Sequence, residues 1–259
     1  MRRTSGFTLI EMVLVIVLLG IVGLSFGNIV GQGMNIYVDT TAREALAQKG
    51  RFITDRMLKE LRNAVPGSVR ISESNTCIEW LPIKNTAIYE TIPVAPEADT
   101  EIRILPEASL EADDRLVIYP LDTSELYAAS ISSDSSVVTV KEAVSFSAGS
   151  STSMVDVTLS ASHSFPASSP AKRLYLYDNP KAYCKVGSQI LLYKGYGLGN
   201  DKFSVTGIPM ADSISDVSFT AATAGLQRNA QVKMVLEFTD DNIGETLRFD
   251  HNVLIHNTP

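Results

Sequence analysis

Few side chains in this chain are spaced to do chemistry. Of its three histidines, His163 lies in a Ser-rich stretch. His251 and His256 are five apart on a predicted strand and so point to opposite faces. No H-x-x-x-H or C-x-x-C spacing occurs. Asp201, Asp212, Asp240 and Asp241 are oxygen donors of the kind calcium takes, yet no loop has EF-hand spacing. "GYGLG" at 195–199 follows a strand as a phosphate loop would, but "NDKFSVTG" after it starts no helix, so it reads as a turn. No G-x-S-x-G or Walker motif appears, and no carboxylate pair has a geometry that sequence alone defines. The expectation is no catalytic residue, no metal, no cofactor and no enzyme.

Two features remain. Cys77 and Cys184 are the only cysteines, both in strand-like contexts. A Cys77–Cys184 disulfide is expected; it would close a loop of about 107 residues, a gain of roughly 4.7 kcal/mol on chain-entropy grounds. The alternative is two buried thiols too far apart to bond. The other feature is Glu11, inside "GFTLIEMVLVIVLLGIVGL" (6–24), otherwise almost pure hydrocarbon. A carboxylate in a lipid-length apolar run costs roughly 2.5–3.5 kcal/mol, and a simple anchor would do without it.

Those residues need elements to position them. The net charge of −7 is uneven: segments 1–6, 7–38 and 39–62 carry +2, −1 and +2, which leaves −10 for 63–259. An acidic head argues against nucleic acid, which needs clustered Lys and Arg. Composition, with 45% hydrophobic and 20% charged residues, is that of a folded globular chain. No charged residue falls between Met12 and Val38, a span long enough to cross a bilayer as a helix. Arg2 and Arg3 before it place the N-terminus in the cytoplasm by the positive-inside rule. For a bacterial-style signal the remainder is then periplasmic, where thiols oxidise. An ordinary secretory signal would be cut after Gly27, with Ser25 and Gly27 as the small pair, and Arg2-Arg3 would fit the Tat route. Both readings leave Glu11 unexplained.

A third reading uses every residue: a basic leader ending in Gly6, a cut before Phe7, and a retained apolar segment. "MRRTSG|FTLIEMVLVIVLLGIV" resembles the class III signal of type IV pilins and type II secretion pseudopilins. The resemblance covers about the first 25 residues and joins leader, glycine, phenylalanine, Thr8-Leu9-Ile10 and glutamate. It implies that prepilin peptidase cuts after Gly6 and methylates Phe7. It also implies that Glu11 is the assembly charge, meeting the Phe7 ammonium of a neighbouring subunit when apolar helices stack away from water. A buried carboxylate is tolerable only with such a partner, and a subunit docked at the wrong height would leave two unpaired charges.

After the apolar run the pattern turns amphipathic, with Ala42, Leu46, Ile53, Met57 and Leu61 near helical spacing. Asp39 or Thr40 would suit a separate helix start, but nothing forbids one helix from Phe7 to Val65, ended by Pro66-Gly67. Gly20, Gly23, Gly27, Gly31 and Gly33 either loosen that helix or let helices pack closely in the bilayer; the second reading is favoured. Beyond Pro66 the pattern is strand-like: "SVRIS", "TCIEWLPI", "RLVIYPL", "SVVTVKEAVSF", "MVDVTLS", "RLYLYD", "QILLYKGY", "ISDVSFT", "AQVKMVLEFTD" and "ETLRFDHNVLIH". "EFTDDNIGETLRF" reads as a hairpin turning at Asp240–Gly244. "SISSDSS", "SAGSSTS" and "SASHSFPASSP" read as surface loops. The segments are a 1–6 leader, a 7–38 membrane or filament-core helix, a 39–65 amphipathic continuation and a 66–259 β-rich periplasmic head. The fold class is α+β and pilin-like, the helix stripe covered by an antiparallel sheet.

The head is large for a major pilin. "AYCKVGSQILLYKGYGLG" and "NVLIHNTP" look like minor pilins of the mannose-sensitive haemagglutinin (MSHA) system, the MshO type. The expected function is a minor pilin acting in pilus assembly or initiation at or near the tip. The alternatives are a large minor pseudopilin of type II secretion, or an adhesive module with Trp80 and the tyrosines of 175–196 as first suspects, although those aromatics read first as sheet core. Expected partners are other pilins and minor pilins, prepilin peptidase, the inner-membrane assembly platform and, before assembly, membrane lipid. The expected location is the inner membrane in a single pass, then the pilus at the cell surface.

Overall fold

A single helix, α1 (Leu9–Arg62), runs through both the apolar segment and the amphipathic one. Its 54 residues span about 81 Å at 1.5 Å per residue. The computed structural model describes residues 6–120, 122–145, 153–222, 230–240 and 243–255. No second helix starts at Asp39 or Thr40: the Thr40 and Thr41 hydroxyls donate back to the Ile36 and Tyr37 carbonyls at 2.7 and 2.8 Å. The helix stops at Arg62, with Asn63 as C-cap, a few residues short of Val65. Pro66-Gly67 forms a separate turn, closed by Ser68 N–H donating to Val65 O at 3.0 Å. Gly67 has φ +75°, the conformation that the second central position of a type II turn demands and that glycine supplies.

The strands in chain order are β1 (Arg70–Ile71), β2 (Cys77–Trp80), β3 (Ile83–Thr91), β4 (Asp99–Pro106), β5 (Arg115–Val117), β6 (Val137–Thr139) and β7 (Val155–His163). They continue with β8 (Arg173–Tyr177), β9 (Lys181–Val186), β10 (Gln189–Lys194), β11 (Ile208–Ala211), β12 (Ile214–Ala222), β13 (Ala230–Asp240) and β14 (Glu245–Ile255). A short helix, α2 (Thr123–Tyr127), follows β5. The expected antiparallel strands form three sheets rather than one: β1-β2-β9-β10-β11, β12-β13-β14, and β6-β5-β8-β3-β4-β7. All their pairings are antiparallel.

The first two sheets share one core with the helix. Leu46, Ile53, Met57 and Leu61 fall on one helical stripe and bury against Trp80, Tyr183 and Leu192 of one sheet and Phe219, Leu236 and Phe238 of the other. The six-stranded sheet has its own core, and its two edges meet again. Val140 bridges Leu159, and Lys141 N–H donates to Thr158 O at 2.9 Å. The sheet therefore curls into a barrel around Ile104, Leu116, Phe165 and Leu176.

Two expectations about loops change. Ser160–His163 belongs to β7, and Phe165 and Ser169 beyond it are buried, so 160–170 is no surface loop. In "SISSDSS", Ser135 and Ser136 are buried as well; their hydroxyls bond to the Val137 carbonyl and the Glu125 carboxylate. Most of "SAGSSTS" lies outside the described residues, as do Asp241 and His256. The hairpin from β13 to β14 is as expected, with Asp240 opposite Glu245 and Gly244 N–H on Asp240 O at 2.9 Å.

Candidate functional site: the N-terminal helix and its joint with the head

Every described side chain from Gly6 to Val38 is exposed, and that stretch is apolar on all sides. A helix apolar all round has no water-facing side, so it belongs in lipid or among other apolar helices. Its most apolar 18-residue window has a mean hydropathy of 2.7, and none of it is buried by the described residues. Leu9 to Val38 spans about 45 Å, against a hydrocarbon core of about 30 Å.

Gly6, Phe7 and Thr8 precede the helix in non-helical backbone, with Thr8 at φ −82° and ψ 152°. The bond between Gly6 and Phe7 thus lies in a non-helical, exposed segment. Glu11 lies in the first turn of α1, where a negative charge complements the helix dipole. It is exposed, and no described residue forms an ion pair with it.

Cys77 and Cys184 are directly opposite on β2 and β9 and form a disulfide, with Cα atoms 4.1 Å apart. Lys185 N–H donates to Thr76 O at 3.0 Å. That bond marks the adjacent pair as the hydrogen-bonded one, so the cysteines occupy the non-bonded position where Cα atoms approach most closely. The alternative of distant thiols is excluded by this register.

The proposed adhesive aromatics are not at the surface. Trp80, Tyr175, Tyr177, Tyr183, Tyr193 and Tyr196 are all buried, and Trp80 stacks on Tyr183 with centroids 5.3 Å apart. Among the described residues no group of three or more metal-ligating side chains comes together. Asp201 caps a 3-10 turn (Lys202–Ser204) by accepting from Phe203 N–H, and Asp212 pairs with Lys49.

The "GYGLG" turn holds the head together. Tyr196 donates to Glu79 Oε1 at 2.7 Å, and Leu198 packs against the cluster of Val65, Leu81 and Tyr127. Glu79 is a buried carboxylate that the sequence reading passed over. Arg70 Nε donates to its other oxygen at 2.7 Å, and Lys202 Nζ lies 3.8 Å from the same atom. Burial, then the bond to this carboxylate, pushes the Tyr196 phenol far up, so it remains a donor. The signal was legible: an acid inside the apolar run "TCIEWLPI". His163 is buried at the end of β7, its Nε2–H donating to Ser135 O at 2.8 Å. Burial pulls its imidazole below the usual 6.5, outweighing the bond to Ser135 and the nearby Asp134. Arg70 also sits over the Tyr127 ring, 3.7 Å from its centroid.

Fold and N-terminus together define an α+β, pilin-like chain: a long, half-naked helix docked by its second half on antiparallel sheets. Residues 1–26 match the family described as the prokaryotic N-terminal methylation motif. That match supports a type IV pilin-like prepilin signal, the kind processed by prepilin peptidase, and with the apolar helix it fits membrane anchoring and pilus incorporation. It covers a small share of the chain and does not reach the head. No curated protein and no solved structure matches the chain, so the MSHA and MshO resemblance gains no support from them.

Proposed function

We infer that the protein is a minor type IV pilin that takes part in pilus assembly or initiation, at or near the filament tip. The observation that carries this is the apolar, exposed first half of α1, which begins within the methylation motif of residues 1–26. Such a surface needs lipid before assembly and other apolar helices afterwards. Prepilin peptidase cuts between Gly6 and Phe7 and methylates Phe7. The 1–6 leader is lost, 7–38 spans the inner membrane with the N-terminus cytoplasmic, and 39–65 carries the periplasmic head of 66–259. Glu11 then pairs with the Phe7 ammonium of a neighbouring subunit and sets register. Partners are other pilins and minor pilins and the inner-membrane assembly platform.

The minor role rests on head size, since two lobes on one stalk are bulky for a subunit repeated along a filament. The MSHA assignment rests on the resemblance of 182–199 and 252–259. The test is fractionation: the mature protein should be found in sheared filaments at low copy, and deleting it should reduce filament number. A chain confined to the membrane, with filaments unchanged on deletion, contradicts the reading. Location of its gene in a secretion cluster would replace the pilus by a type II pseudopilus.

A further inference from the structure

The chain leaves the helix-bound scaffold at the end of β2 and comes back at the start of β9. These two points are adjacent, because Trp80 and Lys181 are direct partners in the ladder. Everything between them, apart from the short connections, builds the barrel of β3 to β8 with α2. All the buried residues of the barrel core lie between Ala87 and Leu176. No described strand of the barrel pairs with a strand of the other two sheets. The barrel meets the scaffold through one patch, where Val65 and Leu198 of the scaffold pack with Leu81, Leu126, Tyr127, Tyr175 and Tyr177 of the insert. Tyr127 OH to Ser68 O and Thr123 Oγ1 to Gly67 O, both at 2.7 Å, support the patch, and the first residues of the insert follow the end of the stalk, with Val65 N–H on Leu81 O at 2.8 Å and Ile83 N–H on Asn63 O at 2.9 Å. The stalk stripe, by contrast, contributes only to the scaffold core.

We propose that residues 81–180 are a self-contained module inserted into the pilin-like scaffold, folding on its own core and not required for the subunit to join its filament. Adjacent chain ends, a private core and a closed sheet are what an inserted domain needs. The disulfide staples the neck of the insert. Cys77–Cys184 lies three ladder positions inside the scaffold from Trp80–Lys181, so opening of the module cannot unzip β2 from β9 beyond it. The loop the bridge closes, with its separation of 107 residues, is this module with its two short connections. While either lobe stays folded it holds the cysteines near each other, so loop-closure entropy stabilises only against unfolding of both.

The assembly clause rests on the filament reading above; the folding clause does not. The folding clause is tested on the full-length chain in detergent, and the assembly clause on filaments from cells. Ile104→Ala empties part of the barrel core and Leu236→Ala part of the scaffold core; both residues are essentially fully buried. Amide exchange should rise at least roughly tenfold in β3, β4 and β7 for the first, with β13 and β14 unchanged within about twofold, and the reverse for the second. Acceleration of both sets by either substitution overturns independent folding. Cys77→Ser with Cys184→Ser should leave the opening of each lobe unchanged and speed only the amides that exchange by global unfolding. For assembly, Ile104→Ala should reach sheared filaments at the wild-type level. Its loss there, with membrane accumulation normal, overturns the assembly clause. Absence of the wild type itself would instead overturn the filament reading.

Discussion

Phe249 of β14 fills the space that any side chain at Gly50 of α1 would need. Three of its ring atoms lie within clashing distance of a Cβ placed there, and the ring is held edge-on by Phe238 at 5.6 Å. A mid-helix glycine costs about 1 kcal/mol against alanine, so this one is kept for packing. Gly50→Ala should therefore destabilise the head by about 1–3 kcal/mol through overpacking, despite its better helix propensity. Thermal melting of the detergent-solubilised chain checks it. Phe249→Leu in the same chain should recover most of the loss, and equal losses in single and double variants would refute the contact.

Glu79 is 3% exposed and answered by Arg70, Lys202 and Tyr196. Removing one side of a buried pair costs about 3–5 kcal/mol, so Glu79→Ala should be among the most damaging single changes in the head. Tyr196→Phe removes one bond to a charged group and should cost about 1.5–3 kcal/mol. Limited proteolysis should then open at 195–204, the segment that Tyr196 fastens. Unchanged resistance there would show that Leu198 packing alone holds the turn.

His163 has its proton affinity lowered in the folded state, so the unfolded chain binds a proton more readily. Stability contributed by the neutral ring is present above the unfolded value, 6.5, and is lost as pH falls from there through the lower folded value. Denaturation midpoints should decline between pH 6.5 and 5, the window above the ordinary carboxylates. His163→Gln keeps a donor for Ser135 O and removes the titration, so its profile should be flatter there. A parallel decline in both proteins would assign the effect elsewhere.

The membrane-length helix, its amphipathic continuation and the last three strands could be read directly, because they rest on periodicity and on turn chemistry at Gly244. The strands β3, β4 and β11 escaped the reading, and of β9 only the context of Cys184 was read as strand. "IKNTAIYET" and "DTEIRILP" mix charges and small polar residues into the alternation, since their outer faces meet water. The barrel was therefore invisible, whereas the proximity of Cys77 and Cys184 across more than a hundred residues was legible from the expected disulfide. His163 and Phe165 were taken for loop because serine dominates their stretch; burial of Ser135 and Ser169 with their bonds satisfied shows that serine content alone does not mark a surface. Trp80 and the tyrosines of 175–196 read first as sheet core, because aromatics in alternating strands usually face inward, and the structure buries them there.

Glu11→Gln keeps the shape of the side chain and removes its charge. Cleavage after Gly6 and membrane insertion should persist, since the leader is untouched and a charge leaves the hydrocarbon. Incorporation into filaments should fall by about a hundredfold or more, from the roughly 3–5 kcal/mol lost when one partner of a buried pair is removed. The comparison is mutant against wild type in sheared filaments at matched membrane levels. Equal incorporation would mean that the charge pair does not set register for this subunit.

The central claim, that the chain is a processed prepilin whose apolar helix is retained, is tested most directly by the intact mass and N-terminal sequence of the protein purified from membranes. The account predicts a chain that begins at Phe7, carries one N-terminal methyl group and keeps every residue of α1. A chain that begins at Asn28, with the apolar run removed, or one that still carries Met1 to Gly6 in the presence of active prepilin peptidase, would contradict it.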